Sequence, residues 1–314
     1  MSDELVSLGI PSSSIYERFA GGNSEVVKFK NHEEKFRALK IYRGDQLRVS
    51  QMFEKETKAL SFLHYHGFRN VPQQVLSHPN LKAIEYDWIE GEIAGTTDAC
   101  LVAIVGMLNS LRKLTLQNHS FDNAVDSINA PSDIIAQILS RISRLKEKNS
   151  RYVYEVQKKI NVFRNTENID VPCAQRILSM SDLGAHNVIT QNKDFFFIDF
   201  EFFGYDSFAK LWGDFLLHPR NHFSTRQISQ IEPSIDLNWT LARQELVKCL
   251  PALALKWSLI ARGRAERNLV SVQNEDETTK LYWRSEKYLE FFDFLQEHKD
   301  DAPIMTFCEY ANEK

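Results

Sequence analysis

The sequence predicts an α+β protein with a small antiparallel sheet near the N-terminus and a mainly helical remainder. Three short strands with tight polar turns between them fill 15–42, and strands joined in this way form antiparallel sheets. From residue 97 onward, apolar residues recur every three or four positions, which is the period of an amphipathic helix. We therefore expect two lobes, one over 1–90 and one over 91–314.

The first lobe is predicted to hold about five strands and one helix. Residues 1–14 contain Pro11 and several serines and predict a lead-in loop. The helix is predicted from an apolar stripe with helical spacing, and the strands from runs of residues that favour a pleated surface. The predicted strands cover 15–20, 25–30, 36–42, 71–77 and 83–88, and the predicted helix covers 47–66.

The turn between the first two strands is Gly21-Gly22-Asn23-Ser24. Glycines let a backbone approach a ligand closely, and amide groups in such a turn can face phosphate oxygens. We therefore predict that these four residues contact a nucleotide. An ordinary hairpin turn would carry the same residues, so the turn alone does not decide.

Lys40 lies inside an apolar strand, where lysine is uncommon and costly to bury without a partner. Its ammonium therefore requires an anion, either a carboxylate or a phosphate. Glu56 on the following helix is the predicted carboxylate partner, and Glu54 is the alternative. A helix packed on the sheet would bring Glu56 to Lys40 and leave the ammonium facing nucleotide phosphates. A solvent-exposed position for Glu56 is the competing interpretation.

The sheet is predicted to end at 87–91, which is the expected boundary between the two lobes along the chain. A nucleobase in such a fold would bond to backbone groups here, and we assign Trp88 and Ile89 to that role. An ordinary strand end would look the same in the sequence.

Asp182, Asn187 and Asp199 carry the strongest functional pattern. Asp182 and Asn187 are spaced D-x-x-x-x-N, and two short strands with a polar turn at 191–194 follow. A hairpin would place Asn187, before its first strand, and Asp199, after its second, at the same open end. Their oxygens suit Mg²⁺, which retains waters and substrate phosphates as ligands. Asp182 could then accept the proton of an attacking hydroxyl. A surface hairpin with ordinary turn residues is the alternative.

Two further acids follow this segment. Asp206 is predicted to cap the next helix. Asp214 lies on that helix beside Trp212 and Phe215, and we expect it to be buried and to accept backbone amides of the 181–184 loop.

The second lobe is predicted to be helical over most of its length. Arg262, Arg264 and Arg267 form a basic cluster that fits either an anionic acceptor or an exposed helix end. Basic residues of 141–159 lack the interleaved aromatics of a nucleic-acid surface, so we expect solvated helix faces there. The predicted helices cover 98–116, 131–148, 151–164, 210–217, 246–266 and 275–298.

Composition limits the function classes. The 314 residues are 43% hydrophobic and 25% charged with a net charge of −4, which gives no general attraction to nucleic acid or anionic lipid. Four scattered cysteines without C-x-x-C spacing argue against a zinc site or a disulfide framework and fit a reducing cytoplasm. We find no signal peptide and no apolar run long enough to span a bilayer, so we expect a cytoplasmic protein without a membrane partner.

The motifs resemble a known family. SDLGAHNV, then FFFIDFE, then GYDSFAKLWGDF is similar to the signature of the aminoglycoside phosphotransferase and choline kinase group. Two positions differ from many members: Met180-Ser181 precedes Asp182 where others have His-Gly, and Glu201 stands two residues after Asp199 where others have glycine.

The resemblance implies a protein-kinase-like two-lobed fold and transfer of the γ-phosphoryl group of ATP or GTP to a hydroxyl of a small molecule. It implies Asp182 as the catalytic base, Asn187 and Asp199 as Mg²⁺ ligands, and Lys40 with Glu56 as the phosphate-orienting pair. A sugar-like acceptor is the first expectation and an amino alcohol the second. The alternative function is a nucleotide-binding pseudokinase that acts as a scaffold or regulatory protein. A protein kinase fits less well, since no H-R-D or A-P-E motif is evident. The sequence leaves the acceptor and the oligomeric state open.

Overall fold

A computed structural model of the chain describes residues 5, 8–117, 120–145, 150–271, 275–298 and 304–312. Within these residues the chain forms two compact units. The N-terminal unit comprises Met1–Gly95 with His186–Gly204, and the C-terminal unit comprises Thr96–Ala185 with Tyr205–Lys314. The first unit thus takes in the whole hairpin segment around Asn187 and Asp199, which the lobe boundary expected at residue 90 had assigned to the second lobe.

The N-terminal unit is built on a five-stranded antiparallel sheet. The strand order is β1-β2-β3-β5-β4, and helix α1 packs on it. The predicted meander is confirmed, with strand ends shifted by three residues or fewer. The elements are β1 (Ile15–Ala20), β2 (Ser24–Lys30), β3 (Phe36–Tyr42), α1 (Gln46–Tyr65), β4 (Gln74–His78) and β5 (Ala83–Asp87).

The two faces of this sheet are used differently. One face is packed by apolar side chains of the lead-in segment, among them Leu5 and Ile10, which are both buried against Val27 and Leu39. The lead-in segment is therefore part of the core. Because side chains alternate along a strand, Lys40 points to the opposite face, where α1 lies.

A second, three-stranded sheet completes the N-terminal unit. Its order is β6-β8-β9, with β6 at Glu92–Ile93, β8 at Val188–Gln191 and β9 at Asp194–Phe197. Gly91 has φ +140°, and a Cβ there would collide with the carbonyl oxygen of Thr190. Only glycine therefore lets the chain approach β8 this closely.

The C-terminal unit is mainly helical, as the sequence predicts. Its longest helices, α7 and α8, pack against each other, and α5 packs on α7. The helix predicted over 131–148 ends at Ile142, and Lys146 and Lys148 lie outside the described residues. The elements are α2 (Asp98–Leu116), α3 (Pro131–Ile142), α4 (Arg151–Thr166), β7 (Arg176–Ser179), β10 (Gly204–Ser207), α5 (Phe208–Leu217), α6 (Thr225–Ile231), α7 (Trp239–Ser271), α8 (Glu275–Glu297) and α9 (Phe307–Asn312).

Helix α2 corrects one expectation. Among the described residues it alone is long and apolar enough to cross a membrane by length and composition, with a mean hydropathy of 1.4 over an 18-residue window of which 44% is buried. The sequence had suggested that no apolar run was this long. In the structure α2 packs on β7 and α6, and the Asn109 side chain bonds to Ser234 and Asp236. A core helix of a globular unit passes the same test.

The fold class is confirmed as α+β, with a small antiparallel sheet and a largely helical remainder. The four cysteines are all buried and unbridged.

Candidate functional site

Strands β8 and β9 form the predicted antiparallel hairpin. Val188 pairs with Phe197, and the Ile198 amide donates to the carbonyl oxygen of Asn187 at 2.9 Å. The turn residues Asn192 and Lys193 both have positive φ, at +50° and +74°, which suits a tight hairpin. The chain therefore returns to its starting point, and Asn187 and Asp199 both lie at the open end of the hairpin.

Lys40 and Glu56 form the predicted buried ion pair. Lys40 Nζ lies 2.6 Å from Glu56 Oε2, and the two residues are only 5% and 1% exposed. The hydroxyls of Tyr42 and Tyr86 donate to the same carboxylate at 2.5 and 3.0 Å. Burial and the Glu56 charge raise the pKa of both tyrosines, so their hydroxyls keep the protons they donate. The alternative partner, Glu54, is exposed.

The same ammonium also contacts two carboxylates of the segment after β9. Lys40 Nζ lies 2.6 Å from Asp199 Oδ1 and 3.2 Å from Glu201 Oε2. Burial alone would lower the pKa of Lys40, but Asp199, Glu56 and Glu201 outweigh it and raise the pKa well above its ordinary value. Lys40 is therefore a permanent cation at the centre of three acids.

Glu201 is a member of this cluster that sequence reasoning noted only as a departure from the family pattern. Asn23 Nδ2 of the glycine turn donates to Glu201 Oε1 at 2.8 Å, while Oε2 has no hydrogen bond of good geometry. Burial, and next the neighbouring charge of Asp199, raises the pKa of Glu201 to about 7. One signal was available in the sequence: in an extended chain, residues two apart point the same way, so an acid two positions after Asp199 could share its direction.

Backbone conformation also marks this region. Asp199 has φ +70° and Ser181, directly before Asp182, has φ +65°. Non-glycine residues in the left-handed region are uncommon and cost roughly 1–3 kcal/mol, and they cluster at functional sites. Asp199 therefore has an unfavourable backbone conformation, and Asp182 directly follows a residue that has one.

The N-terminal cluster fits a divalent cation. Carboxylate oxygens of Glu56, Asp199 and Glu201 lie within 4.8 Å of one another, and one ammonium faces all three acids. Three carboxylates against one ammonium leave an excess of negative charge in a largely buried place, and Glu201 responds by holding its proton more tightly. Hard oxygen donors of this kind suit Mg²⁺. Asn187, which is 6% exposed, lies at the start of the same hairpin.

The glycine turn and the end of β5 are placed as follows. The Gly21 amide donates to the carbonyl of Ser24 at 2.8 Å, which closes the turn. The Trp88 ring stacks on Phe19 with centroids 5.9 Å apart. The Trp88 amide donates to the carbonyl of Phe36 at 3.3 Å and is therefore used within the sheet. The Trp88 amide is therefore not available to a nucleobase.

Asp182 lies in the C-terminal unit, in the loop after β7. Its Oδ1 is 3.9 Å from His218 Nε2, and its side chain is 39% exposed. Two bonds fix the loop: the Ser181 amide donates to Ser179 Oγ at 2.8 Å, and the Ala185 amide donates to Asn221 Oδ1 at 3.1 Å. His218 and Asn221 were not identified from the sequence, because their positions depend on how the loop packs against the end of α5.

The role expected for Asp214 was wrong in its partners. Asp214 is largely buried, but it accepts from Lys256 Nζ at 2.8 Å and from Trp257 Nε1 at 2.9 Å, and Asn221 takes the loop amide. Asp206 was expected to cap α5 with its side chain, but the N-cap residue of that helix is Ser207. Asp206 instead binds Lys210 Nζ at 2.7 Å and the amides of Ile128 and Ser207.

No family model matches the chain, and no curated protein matches it by sequence. Solved structures do match its fold. The choline kinase LicA from Streptococcus pneumoniae superposes with a TM-score of 0.61 at 15% identity, over 92% of this chain and 97% of that one. The same enzyme in complex with AMP also matches, with a TM-score of 0.59.

Two further structures agree with this result. A choline kinase from Cryptosporidium parvum has a TM-score of 0.61 at 13% identity, covering 95% of this chain and 97% of its own. The gentamicin complex of APH(2")-IIa has a TM-score of 0.60 at 13% identity, covering 92% and 94%. Identities this low establish the fold alone. The chain therefore has the kinase-like fold shared by choline kinases and aminoglycoside phosphotransferases, as its motifs predicted.

Proposed function

We propose that the protein is a small-molecule kinase that transfers the γ-phosphoryl group of ATP or GTP to a hydroxyl group. One observation carries this proposal: in a chain with this fold, Lys40 is buried and bonded at once to Glu56 of α1 and to Asp199 after the β8–β9 hairpin. This single ammonium faces three carboxylates, so the group carries an excess of negative charge that the protein itself does not balance. A cation bound there together with phosphates would balance it.

In this proposal Glu56 fixes the Lys40 ammonium, and the two tyrosine hydroxyls fix Glu56. Little rotational freedom is then left to lose when phosphate oxygens bind, which favours catalysis by positioning. The glycine turn contributes backbone amides, and Asn23 ties the turn to Glu201 at 2.8 Å. Gly21, Gly22 and Ser24 complete the phosphate-facing turn, and backbone groups near Trp88 and Ile89 receive the nucleobase.

Asn187 and Asp199 are the proposed Mg²⁺ ligands, and Glu201 belongs to the same group of oxygens. Bound Mg²⁺ would neutralise phosphate charge and polarise the group being transferred. The residues themselves supply hard oxygen ligands from the two ends of one hairpin. The excess of carboxylate over ammonium provides the attraction for a cation.

Asp182 is the proposed base. As the acceptor oxygen bonds to the γ-phosphorus, the bond from that phosphorus to the β–γ bridging oxygen breaks and the hydroxyl proton passes to the Asp182 carboxylate. The bonds from Ser181 and Ala185 keep the loop in one conformation, and the exposed fraction of the Asp182 side chain leaves it accessible to an acceptor.

A nucleotide-binding lobe over 1–90 and a catalytic and acceptor-binding lobe over 91–314 would divide the work. The acceptor is a sugar-like compound or an amino alcohol, and the enzyme works in the cytoplasm. The similar structures include choline kinases and a gentamicin complex, and one choline kinase holds AMP, which supports a nucleotide and a small hydroxyl compound as ligands.

Consumption of ATP and of GTP should be measured over a panel of sugars, hydroxy acids, sugar phosphates, amino alcohols and aminoglycosides. We expect acceptor-dependent turnover, and a loss of about 100-fold or more in kcat for Asp182→Ala with nucleotide affinity unchanged. Nucleotide binding without turnover on any acceptor would favour the scaffold alternative. Full activity of Asp182→Ala would contradict the assignment of the base.

A further inference from the structure

The charge around Asp182 in the C-terminal unit is predominantly positive. Arg264 and Arg267 lie three residues apart on α7, on neighbouring positions of one helix face. Arg220 lies in the segment that follows α5. Arg264 interacts electrostatically with Asp182, Arg267 and Arg220 together, so the four charged groups share one neighbourhood.

Arg264 is the central residue of this cluster. Its side chain reaches solvent, and an incoming ligand can therefore contact it. The surrounding protein nevertheless removes part of the solvation of the guanidinium, which lowers the pKa of Arg264. The Asp182 carboxylate opposes this shift, and the cations of Arg267 and Arg220 add to it. A bound anion stabilises a guanidinium that lies among other cations more than it stabilises an isolated surface arginine.

The guanidinium groups of Arg220 and Arg264 make no hydrogen bond and no ion pair with any residue that the structure describes. A neighbouring arginine shows the contrast. Arg262 lies over the rings of Tyr152 and Tyr282 at 4.6 and 4.5 Å and 3.8 Å from Glu286. Arg262 is therefore held by packing, whereas its neighbour on the same helix is available for a ligand.

His218 adds a donor to the same place. Its Nδ1 accepts the backbone amide of Arg220 at 3.2 Å, which places the proton of the neutral ring on Nε2, the atom 3.9 Å from Asp182 Oδ1. The imidazole thus points an N–H toward the base and its surroundings. An anion bound here would meet a donor as well as positive charge.

Two nearby side chains that could bind a cationic acceptor, the Tyr288 ring and the Asp214 carboxylate, are already occupied. Quaternary ammonium groups are bound by open aromatic faces or by acids. Tyr288 is fully buried, with its hydroxyl bonded to the carbonyl of Leu217 and its ring stacked on Phe307. Asp214 is already occupied by Lys256, by Trp257 Nε1 and, at 3.4 Å, by Lys210.

We propose that the acceptor carries an anionic group, a phosphate or a carboxylate, in addition to the hydroxyl that is phosphorylated. Arg220 and Arg264 bind that anion, Arg267 adds to the positive field, and the hydroxyl is left at Asp182. This inference rests on the proposed kinase function and narrows it, because it selects acidic hydroxyl compounds over choline-like and aminoglycoside-like ones. Guanidinium groups suit the planar, two-oxygen recognition that both anions offer.

The test uses matched acceptors and matched variants of the full chain. Glycerol, glycerol 3-phosphate, glycerate and choline should be compared as acceptors with Mg²⁺ and ATP. We expect kcat/KM at least tenfold higher for an anionic member than for glycerol or choline, and the phosphate and carboxylate members distinguish the two anions. Arg220→Ala and Arg264→Ala should each raise KM for the anionic acceptor by about tenfold, with KM for ATP unchanged. Arg264→Lys should restore part of the loss.

Arg151→Ala is the control, because Arg151 is an exposed arginine on α4 with the same charge, and it should leave every KM unchanged. Preference for choline or glycerol, or normal KM values in both arginine variants, would overturn the inference and leave the kinase function standing. Failure of every acceptor on the wider panel would instead contradict the kinase function.

If every acceptor fails, the binding of anions still tests the proposed anion site. Inorganic phosphate and acetate should raise the Tm of the wild-type protein above that in sodium chloride of equal ionic strength, and the double variant Arg220→Ala/Arg264→Ala should lose at least half of that shift. An equal shift in wild type and double variant, or no shift in either, would overturn the inference.

Discussion

The two compact units each bury a cluster of charges, and the two clusters are composed differently. In the N-terminal unit, the Lys40 ammonium faces the carboxylates of Glu56, Asp199 and Glu201. In the C-terminal unit two acids meet two ammonium groups. There Lys210 lies between Asp206 at 2.7 Å and Asp214 at 3.4 Å, and Lys256 binds Asp214 at 2.8 Å.

The difference separates a charge-balanced network from one that a bound cation would stabilise. The C-terminal network is balanced, and amides of Ile128 and Ser207 and the Trp257 indole satisfy its remaining oxygens. The N-terminal cluster has three carboxyl groups for one ammonium, an oxygen of Glu201 without a good hydrogen bond, and a Glu201 pKa of about 7. A balanced network needs nothing further, whereas an unbalanced one is improved by a bound cation.

Asp214→Asn should lower stability strongly. Lys256 and Lys210 would lose the charge that compensates them, and breaking a buried ion pair costs about 3–5 kcal/mol. Urea unfolding at pH 7 measures the loss, and added Mg²⁺ should not restore it. Asp293→Asn is the control, because Asp293 is 55% exposed and pairs with Lys159 at the surface, so we expect a loss of less than about 1 kcal/mol.

The stability difference between the wild type and Asp214→Asn should depend on pH. Burial would raise the pKa of Asp214, but Lys256 and Lys210 outweigh it and the pKa is lowered. The contribution of Asp214 to stability is therefore present above the ordinary carboxyl pKa and is lost as the pH falls through the lowered one. Wild type and Asp214→Asn should converge in stability on acidification, and a constant difference down to pH 3 would contradict the assignment.

Lys40→Met should have the next largest effect, on catalysis. Loss of one preorganised cation facing developing charge costs roughly 100- to 1,000-fold in kcat, or about 2.7–4 kcal/mol. The variant leaves three acids without an ammonium, so Mg²⁺ should raise its Tm more than that of the wild type. An equal response to Mg²⁺ in the two proteins would show that the cluster does not bind the ion.

Glu201→Gln should weaken the binding of Mg²⁺ without destabilising the fold. The amide oxygen can still accept from Asn23, while one charge is removed from a place that has too many. We expect roughly tenfold weaker Mg²⁺ binding by calorimetry in the presence of nucleotide, which corresponds to about 1.4 kcal/mol, and a Tm in EDTA equal to or above that of the wild type. A lower Tm in EDTA would mean that Glu201 stabilises the apo fold.

Asn23→Ala should have the smallest effect. It removes one hydrogen bond to a carboxyl group, worth about 1–2 kcal/mol at most because the turn is near the surface. We expect a change of a few degrees or less in Tm and a several-fold higher KM for nucleotide. An unchanged KM would argue that the glycine turn does not face the phosphates.

Local patterns predicted the parts of the site that depend on neighbouring residues in the chain. Residues 188–197 alternate and turn in a way that allows one hairpin, and the structure contains it. Lys40 within an apolar strand required an acid, and Glu56 lies on the first helix that can reach it. In both cases the constraint was carried by a short segment.

Contacts set by packing could not be predicted. Asp214 was correctly expected to be buried, but its partner Lys256 lies 42 residues away on a helix whose rotation the sequence does not fix. The inclusion of 186–204 in the N-terminal unit depends on the pairing of β6 with β8 and on the Phe197 amide, which donates to Asn70. His218 could not be linked to Asp182 for the same reason, since 36 residues separate them.

In the proposed kinase, Asp199 and Lys40 form the centre of the phosphoryl-transfer site. This placement is tested by the transfer of labelled γ-phosphate from ATP to an acceptor by wild type and by Asp199→Asn, with circular dichroism to verify that both are folded. We predict labelled acceptor with the wild type and a loss of at least about 100-fold with the variant. Equal labelling by the two proteins, or no acceptor labelled by the wild type across the full panel, would contradict it.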